Sequence, residues 1–363
     1  MIVIVGAGIA GLSLAYALIQ RGVNITVLDA NTVASGASGV ATSYLEPRLG
    51  ETPMRKIERG SLELWPHFAA QLQEKSGLDV GYNTTGQLRV TTEEYLPQFI
   101  RESKARRKQG VEFQSLTLEE IQNREPALST ELVAGAFLPN VSWVNGGSIC
   151  QALAVCIRNS GGEIMEGNAV TALKNRTLLM KDGHKIRAEK IIFCTGVGAN
   201  SINGLPSDIP KSSPVRGVNL LLDMGVLKQP IRHLIKHHRG NLCPRNDGQF
   251  GQHLIVGTTY EADEASLHVA DEVIEMLFQN AELIFPGVRE LPLLGVKAGL
   301  RSKVGDGLLR LGRSRSEPNI YYSLSHAGAG FLRAPLIAEE FSSYILEGKN
   351  SGVDFLCGEF ISA

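Results

Sequence analysis

Three glycines and one aspartate near the amino terminus have the spacing of a dinucleotide-binding turn. Gly6, Gly8 and Gly11 lie between an apolar run and a predicted helix, and Asp29 ends the next predicted strand. Glycines at this spacing allow a tight turn, close approach of a pyrophosphate and close packing of helix on strand. The helix amino terminus offers N–H donors, and the aspartate can accept both hydroxyls of an adenosine ribose. The pattern therefore predicts a bound dinucleotide, against the alternative of a glycine-rich turn beside a surface aspartate.

Three later segments favour FAD over a nicotinamide cofactor. Residues 34–39 offer backbone N–H groups and two serine hydroxyls to a pyrophosphate and ribityl chain, although a flexible linker has a similar composition. A predicted strand ends in Thr195-Gly196, where backbone can pass close to a cofactor. A glycine turn at Gly328 leads into a helix that Pro335 is predicted to start, and the amino terminus of this helix can face developing negative charge.

Composition excludes several classes of protein. The chain has 363 residues, with 36 Lys and Arg against 37 Asp and Glu, so no global field favours nucleic acid or an anionic membrane. Its five cysteines are odd in number and form no C-x-x-C pair, which predicts a reducing, cytoplasmic location. The apolar start of the chain lacks a basic leader and is broken by glycines before Arg21, so we expect neither a signal peptide nor an integral membrane segment.

The order of predicted elements indicates an α/β protein with two sheets. A βαβ opening and later apolar strands, including one over residues 163–171, predict a parallel sheet. Between them, the pattern over residues 215–223 and 253–259 is antiparallel, with a turn predicted at residues 245–248. Further helices are predicted over residues 54–75, 96–109, from 117 (with a Thr117–Glu120 capping box), 148–159, 271–280 and 335–346.

The whole chain resembles the FAD-dependent amino acid oxidoreductase family that includes glycine oxidase, D-amino acid oxidase and sarcosine oxidase. Beyond the amino-terminal fingerprint, the resemblance rests on residues 85–88, 125–128, 244–245, 256–259, 299–307 and 334–335. Glycine oxidase is the nearest activity. Residues 36–39, 145–147 and 330–335 also resemble the FAD-containing half of the bifunctional enzyme that modifies tRNA wobble uridine.

The resemblance implies a fold and a division into two domains. We expect a glutathione-reductase-like FAD-binding domain with a Rossmann-type parallel sheet, and a second, mostly antiparallel α+β substrate domain. The expected FAD-binding domain is discontinuous, with segments 1–80, 146–212 and 298–363. The substrate-binding domain then comprises residues 81–145 and 213–297, and the active site lies between the two.

Arg301 matches the arginine that anchors the substrate carboxylate in this family. A guanidinium can bind a carboxylate through two parallel hydrogen bonds, which would hold the substrate α-carbon over flavin N5 for hydride transfer. The alternative is an ordinary surface arginine. The reaction implied is oxidation of a small amino acid or secondary amine to an imine, which hydrolyses to an oxo acid. No general base is required, because the hydride can leave an amine that bears a lone pair.

The motifs and the resemblance together predict a set of residues that bind FAD non-covalently. No cysteine matches the attachment site of some relatives, since Cys357 is too close to the end of the chain. The predicted cofactor-binding residues are Gly6, Gly8, Ile9, Ala10, Gly11, Asp29, Ala30, Ser35, Ser38, Gly39, Ala41, Val170, Thr195, Gly196, Arg301, Gly328, Ala329, Gly330, Phe331 and Leu332.

Several positions depart from glycine oxidase and leave the substrate open. Asn241 stands where that enzyme has a substrate-contacting tyrosine, so we assign Asn241 and Arg301 to substrate binding. Gly328 replaces a second arginine of the glycine turn, and Ser302 replaces a proline after Arg301. These differences favour the amine class over glycine itself, and they decide neither chirality nor whether oxygen or a quinone is the electron acceptor.

Other features have simpler explanations. His233, His237 and His238 could bind a metal if they lay on a helix, but neighbouring cations disfavour this and no metal is predicted. The basic run over residues 101–108 is typical of a solvated helix face, although it could bind RNA phosphates. His326 is expected to be a structural residue or to approach the flavin.

Two alternative functions stay open at this stage. In the first, the enzyme removes a carboxymethyl group from a modified tRNA wobble uridine, although the near-neutral charge and the lack of a methyltransferase half make nucleic acid an unfavoured partner. In the second, the chain is a non-catalytic flavin subunit of a hetero-oligomer, which the retained Arg301 disfavours. A homo-oligomer is also open, since the last predicted helix could pack within a subunit or against another.

Overall fold

The computed structural model describes residues 1–247 and 251–348. The strands are β1 (Ile2–Val5), β2 (Ile25–Leu28), β3 (Tyr44–Leu45), β4 (Gln87–Thr91), β5 (Gln114–Leu116), β6 (Ala134–Leu138), β7 (Ser142–Trp143), β8 (Glu163–Met165), β9 (Val170–Lys174), β10 (Thr177–Met180), β11 (Lys185–Arg187), β12 (Lys190–Phe193), β13 (Ser213–Asp223), β14 (Leu234–His237), β15 (Gly240–Asp247), β16 (Gly251–Gly257), β17 (Glu261–Ala262), β18 (Leu293–Lys303), β19 (Arg310–Arg313) and β20 (Ile320–Leu324). The helices are α1 (Ile9–Ile19), α2 (Ala37–Val40), α3 (Pro53–Ser76), α4 (Leu96–Lys108), α5 (Leu118–Arg124), α6 (Gly146–Asn159), α7 (Asp271–Glu282) and α8 (Gly330–Glu347). Single 3-10 turns span Glu93–Tyr95, Gly196–Ser201 and Pro286–Glu290.

A six-stranded sheet, in the order β19-β20-β12-β1-β2-β8, carries the amino-terminal glycine turn. Every pair is parallel except β19 with β20. All four residues of β1 are buried because helices α1, α3, α6 and α8 pack on the face of Ile2 and Ile4, while Val3 and Val5 face a second apolar cluster. The expected Rossmann-type sheet is confirmed, and its strands come from three separate stretches of the chain.

A nine-stranded, mostly antiparallel sheet forms the second half of the fold. Its order is β17-β13-β16-β15-β14-β4-β6-β5, and β18 pairs with β13. One face packs against helices α5 and α7 through a cluster of apolar side chains that includes Val218, Leu220 and Leu277. Residues 40–46 cover part of the opposite face. The side-chain amide of Asn219 on that face donates to the carbonyl of Val40 at 2.6 Å. The segment that follows α2 therefore lies against the nine-stranded sheet.

The structure corrects several expected boundaries. Residues 163–171 are two strands, because Gly167 turns the chain with φ +75° and sends β9 into a separate antiparallel sheet with β10 and β11. Helix α8 begins at Gly330, so Pro335 lies inside it and does not start it. The predicted turn at 245–248 is wrong for its first three residues, because Arg245, Asn246 and Asp247 lie within β15; Gly248 lies outside the described residues.

Other local signals are confirmed. The Thr117–Glu120 capping box forms, with Glu120 N–H donating to the Thr117 hydroxyl at 3.3 Å. Asn145 caps α6 by accepting the Ser148 N–H at 3.2 Å, which starts that helix earlier than its apolar pattern indicated. Within residues 1–247 and 251–348, every helix is too short or too polar to span a lipid bilayer.

Candidate active site

The amino-terminal glycines permit a close approach of three backbone segments. A Cβ on Gly6, which has φ +112°, would overlap the carbonyl oxygen of Cys194 at the end of β12. A Cβ on Gly11 would overlap the carbonyl of Gly6. The turn can therefore hold β1, α1 and β12 together only without side chains at these glycines.

Asp29 has a structural role as well as its predicted ligand role. Its Oδ2 accepts the Ala7 N–H at 2.7 Å, and its Oδ1 accepts the Asn31 N–H at 2.9 Å. The residue is half-buried, and an ionised carboxylate has about four acceptor positions. Both oxygens therefore keep acceptor capacity for a ribose, while the bonds already made fix the direction of the carboxylate.

The segment after β2 folds back onto the start of α1. Ser38, in α2, accepts the Ile9 N–H at 3.0 Å, and the Ala34 N–H donates to the Ala7 carbonyl at 3.0 Å. Gly39 is close to the carbonyl of Ala34, where a Cβ would overlap it. The predicted flexible-linker alternative is therefore wrong, since this segment is an ordered wall of the site. Ser35 and Ala30 are exposed at its rim.

Thr195 and Gly196 extend β12 to the edge of the same site. A Cβ on Gly6 would lie 3.2 Å from the Cα of Thr195, so the two turns touch. The Thr195 hydroxyl is buried, and within the described part of the chain it has no hydrogen-bond partner. A buried hydroxyl without a partner is costly, so this atom fits a polar ligand. Val170, the first residue of β9, is buried.

The second glycine turn precedes α8 and brings it against α1. Ser325, Ala327 and Gly328 all have positive φ, from 46° to 80°. A Cβ on Gly330 would lie 3.4 Å from the Cγ2 of Ile9, so the amino termini of the two helices meet. Both helices therefore direct the positive ends of their dipoles to the same region.

Two buried charges below this turn were not found from the sequence. Glu58 of α3 accepts from Nε and Nη2 of Arg333 at 3.1 and 2.5 Å, and Arg333 Nη1 donates to the His326 carbonyl at 3.2 Å. Burial opposes ionisation of Glu58, yet Arg333, the Arg48 N–H and Arg55 hold its pKa below the usual value. A polar residue inside an amphipathic helix gives no signal of this kind, because its partner lies 275 positions away.

Half-buried His326 is a structural part of the glycine turn. Burial and the nearby Arg333 charge lower its pKa to about 3. Its Nε2 contacts the Ser323 hydroxyl at 3.0 Å, and its carbonyl accepts the Ala329 N–H at 3.0 Å. The ring is therefore neutral near physiological pH, and its Nδ1 is buried with no partner among the described residues.

Arg301 lies on β18 beside the second glycine turn. A Cβ on Gly328 would be 3.9 Å from its Cδ, and the guanidinium occupies the space above Gly217. It donates to the Thr258 hydroxyl at 3.1 Å and to the Thr259 and Arg216 carbonyls at 3.3 and 3.4 Å. Burial lowers its pKa, opposed by Tyr44 and Tyr260. Its partners within the described residues are neutral, and no carboxylate there forms an ion pair with it.

Asn241 is buried on the same sheet face as Arg301. It pairs across the sheet with Gly257 of β16, and Thr258, which follows Gly257, is bonded to the Arg301 guanidinium. Its Oδ1 has no partner in the described part of the chain. The two residues predicted to bind substrate are thus brought close together by the sheet.

The sequence pattern of the FAD dependent oxidoreductase family matches residues 1–343. The chain belongs to this family. Its cofactor is FAD, bound non-covalently, and the site fits the cofactor: it offers a bare glycine turn, a fixed carboxylate at Asp29, two helix amino termini and the unpartnered hydroxyl of Thr195.

Individual relatives agree with this assignment. The bifunctional protein ThiO/ThiG of Nostoc sp. is 27% identical over 360 residues, which is 96% of this chain and 53% of that protein. The glycine oxidase of Geobacillus kaustophilus is 24% identical over 345 residues, covering 92% and 90% of the two chains. The crystal structure of glycine oxidase from Bacillus cereus superposes with a TM-score of 0.89 at 24% identity, over 98% of this chain and 96% of that one. The chain spans about half the length of the ThiO/ThiG relatives it matches.

His237 and Arg106 of the basic run are packed within the fold and show no sign of a metal or RNA site. His237 is on strand β14, so the helical metal pair does not exist; burial, with His238 and Arg239, lowers its pKa to about 4. Within residues 1–247 and 251–348, no three His, Cys, Asp or Glu side chains cluster as metal ligands. Arg106 of the basic run is buried and bonded to Glu102, so the expectation of a fully solvated helix face is wrong there.

Proposed function

We propose that this FAD-dependent oxidoreductase oxidises a small amino acid or secondary amine of the glycine oxidase type. The observation that carries the proposal is Arg301, a half-buried guanidinium that has only neutral partners and lies next to the glycine turn of α8. A substrate carboxylate would supply the missing anion through a charge-assisted, two-pronged contact. We also propose that the residues predicted above to bind FAD do so, and that the two domains have the boundaries predicted above.

The residues of the chain bind and orient the substrate. Thr258, with the carbonyls of Thr259 and Arg216, holds the Arg301 guanidinium in one orientation, so the bound carboxylate is also held in one orientation. The amino terminus of α8 favours negative charge beside that position. FAD held by the glycine turns, Asp29 and Thr195 would supply the acceptor for the hydride of the substrate α-carbon. The imine left behind hydrolyses in water to an oxo acid and ammonia or an amine.

The names of relatives support an amine substrate without choosing one. Besides the glycine oxidases, similar chains include a 4-methylaminobutanoate oxidase, and similar folds include an L-proline dehydrogenase and an iminodiacetate oxidase. Their common feature is an amine that also carries a carboxylate. This supports the amine class. A cytoplasmic location and either oxygen or a quinone as acceptor stay predictions from the sequence.

Anaerobic mixing of the FAD-loaded protein with glycine, sarcosine, D-alanine and L-proline tests the proposal. Loss of the oxidised-flavin absorbance with one of them is expected, and the rate should collapse in Arg301→Gln. The matched control is Arg313→Gln, an exposed arginine on the edge strand β19, which should leave the rate unchanged. Firmly bound flavin that none of the compounds reduces would overturn the proposal.

The alternative, removal of a carboxymethyl group from a tRNA wobble uridine, has one observation in its favour. A bifunctional tRNA 5-methylaminomethyl-2-thiouridine biosynthesis protein is 24% identical over 361 residues, 93% of this chain and 55% of that protein. The engagement of Arg106 within the fold removes one cation from the basic run on α4. Salt-sensitive retention of tRNA by the protein would support this alternative.

A further inference from the structure

Two asparagines flank a glycine on the sheet face that bears Arg301. Gly257 of β16 pairs with Asn219 of β13 on one side and with Asn241 of β15 on the other. Residues that are directly paired across strands share a face of the sheet. Gly257 has no side chain on that face, and a Cβ there would lie 2.0 Å from the Oδ1 of Asn219. The Asn219 amide oxygen therefore extends over the glycine, on the side of Asn241.

The amide oxygens of Asn219 and Asn241 are buried acceptors without a donor among the described residues. The two residues are 3% and 7% exposed. The Asn219 amide holds this orientation because its Nδ2 donates to the Val40 carbonyl at 2.6 Å, and a reversed amide would place two carbonyl oxygens against each other. An unpaired buried acceptor is costly, so the two oxygens fit a ligand group with N–H or O–H bonds. A carboxylate has no such bond to offer.

The guanidinium of Arg301 fixes where a carboxylate would lie relative to these oxygens. It stacks over Gly217, since a Cβ there would be 2.6 Å from the Arg301 Cζ. Gly217 and Asn219 are alternate residues of β13, so they share a face and lie about 7 Å apart. Three of the five N–H groups of the guanidinium are bonded to neutral partners, which leaves Nε–H and one Nη2–H for a carboxylate. In an α-amino acid the amino group is the N–H donor next to the carboxylate, and a span of about 7 Å places it within reach of Asn219.

We propose that the amide oxygens of Asn219 and Asn241, here called the acceptor pair, accept the two N–H bonds of the neutral substrate amine. The inference rests on the function proposed above. It adds Asn219 to the substrate site and gives Asn241 a defined partner atom. The acceptor pair determines specificity, because a neutral primary amine provides a donor to both oxygens. An N-alkylated amine has one N–H bond and leaves one of the oxygens without a donor.

The acceptor pair also orients the reacting nitrogen. With both N–H bonds directed at the sheet, the nitrogen lone pair points away from it. The hydride leaves the α-carbon with both electrons of its C–H bond and passes to the flavin of this family, while the lone pair forms the second C–N bond of an iminium ion. Positive charge develops on the nitrogen in this step, so its N–H bonds become stronger donors and both contacts strengthen in the transition state. Loss of one contact should therefore lower the rate of hydride loss as well as the affinity.

Primary amines and their N-methyl forms test the proposal. The pairs are glycine with sarcosine, and alanine with N-methylalanine, each enantiomer being tested separately. The measured quantity is the ratio of the primary to the N-methyl rate of anaerobic flavin reduction at limiting substrate, because a change in this ratio between proteins is independent of the intrinsic reactivity of the two amines. In Asn241→Leu the ratio should fall about tenfold, the scale of one hydrogen bond to a buried acceptor. The same ratio in the unaltered protein and in Asn241→Leu would overturn the proposal while leaving amine oxidation intact.

Two further variants separate the acceptor pair from a general structural effect. Asn219→Leu should lower the same ratio about tenfold, in addition to any equal loss of both rates from the broken bond to Val40. Asn140→Leu, at an exposed asparagine between β6 and β7, should leave both rates unchanged. Serine compared with alanine tests a side-chain donor instead. A serine-to-alanine ratio that falls in Asn241→Leu, with an unchanged ratio of primary to N-methyl amine, would assign the oxygens to a substrate side chain and refute the amine contacts.

A binding measurement tests the acceptor pair without turnover of an amine. Glycolate and propionate have the same shape and charge and differ only in a hydroxyl against a methyl group, so each is titrated against the FAD-loaded protein by its effect on the flavin absorbance spectrum. Glycolate should bind about tenfold more tightly, and this preference should disappear in Asn219→Leu/Asn241→Leu. This result with no amine oxidised would retain the acceptor pair and refute the proposed function. Equal affinities would refute the acceptor pair.

Discussion

Removal of either member of the buried Glu58–Arg333 pair should destabilise the protein strongly and unequally. The side chains are 0% and 2% exposed, and the loss of one partner from such a pair costs about 3–5 kcal/mol. Arg333→Leu leaves Glu58 bonded to Arg55 at 2.7 and 2.8 Å and to the Arg48 N–H at 3.1 Å, so we expect about 3 kcal/mol. Glu58→Leu leaves Arg333 bonded to the His326 carbonyl without a carboxylate, so we expect about 5 kcal/mol.

Replacement of both residues distinguishes charge burial from shape. In Glu58→Leu/Arg333→Leu no charge of the pair is left in the interior, so the double variant should be more stable than Glu58→Leu alone. The free energy of unfolding is measured by urea denaturation with a fixed excess of FAD, because a ligand of the folded state adds to the apparent stability. Arg21→Ala is the control, since it breaks a partly exposed pair with Glu347 at the other end of α8 and should cost no more than about 1 kcal/mol.

The acid dependence of stability provides a second check on the same pair. Because the pKa of Glu58 lies below its ordinary value of 4.5, the unfolded chain binds the proton first as the pH falls. Its stabilising contribution is complete above pH 4.5 and is lost as the pH falls through the folded-state pKa. A double variant less stable than both single variants, or an acid limb of the stability curve unchanged in Glu58→Leu, would refute this reasoning.

Three other outcomes follow from the site. Arg301→Lys replaces a planar fork with a point charge but keeps the positive charge that the cofactor would meet, so kcat/KM for the amine should fall about 100-fold while the FAD dissociation constant changes much less. An equal loss of FAD affinity would mean that the arginine acts on the cofactor alone and does not anchor the substrate. Asp29→Ala removes the acceptor of the Ala7 N–H and of a ribose hydroxyl, so FAD should dissociate about 30-fold more readily, measured by recovery of flavin fluorescence, and unchanged retention would exclude the ribose contact. Burial and Arg333 lower the pKa of His326 to about 3, so this histidine stabilises the fold fully above pH 6.5 and progressively less as the pH falls towards 3. Between about pH 6 and 4 the free energy of unfolding of His326→Gln should therefore fall less steeply with falling pH than that of the unaltered protein, by up to about 1.4 kcal/mol per pH unit. Equal slopes in the two proteins would show that the ring titrates normally.

The sequence alone determined the features whose residues lie close together along the chain. Gly6, Gly8, Gly11 and Asp29 lie within one βαβ unit, so their spacing was sufficient to predict the dinucleotide turn and the α/β class. The Thr117 capping box is confined to one helix turn and was equally predictable. Arg301 was found through its resemblance to a family motif, and its neutral surroundings became visible only in the fold.

Other features were decided by the tertiary structure, because they join residues that are distant in sequence. The start of α8 depends on a turn that Arg333 and Arg48 hold by its carbonyls, so the helix begins five residues before the proline that was expected to start it. The Glu58–Arg333 pair joins α3 to α8. Strand register places single residues of successive strands side by side across the nine-stranded sheet, as it does for Asn219, Gly257, Asn241 and Lys236. A sequence pattern records the period of each element but not the partner that its buried polar groups will meet.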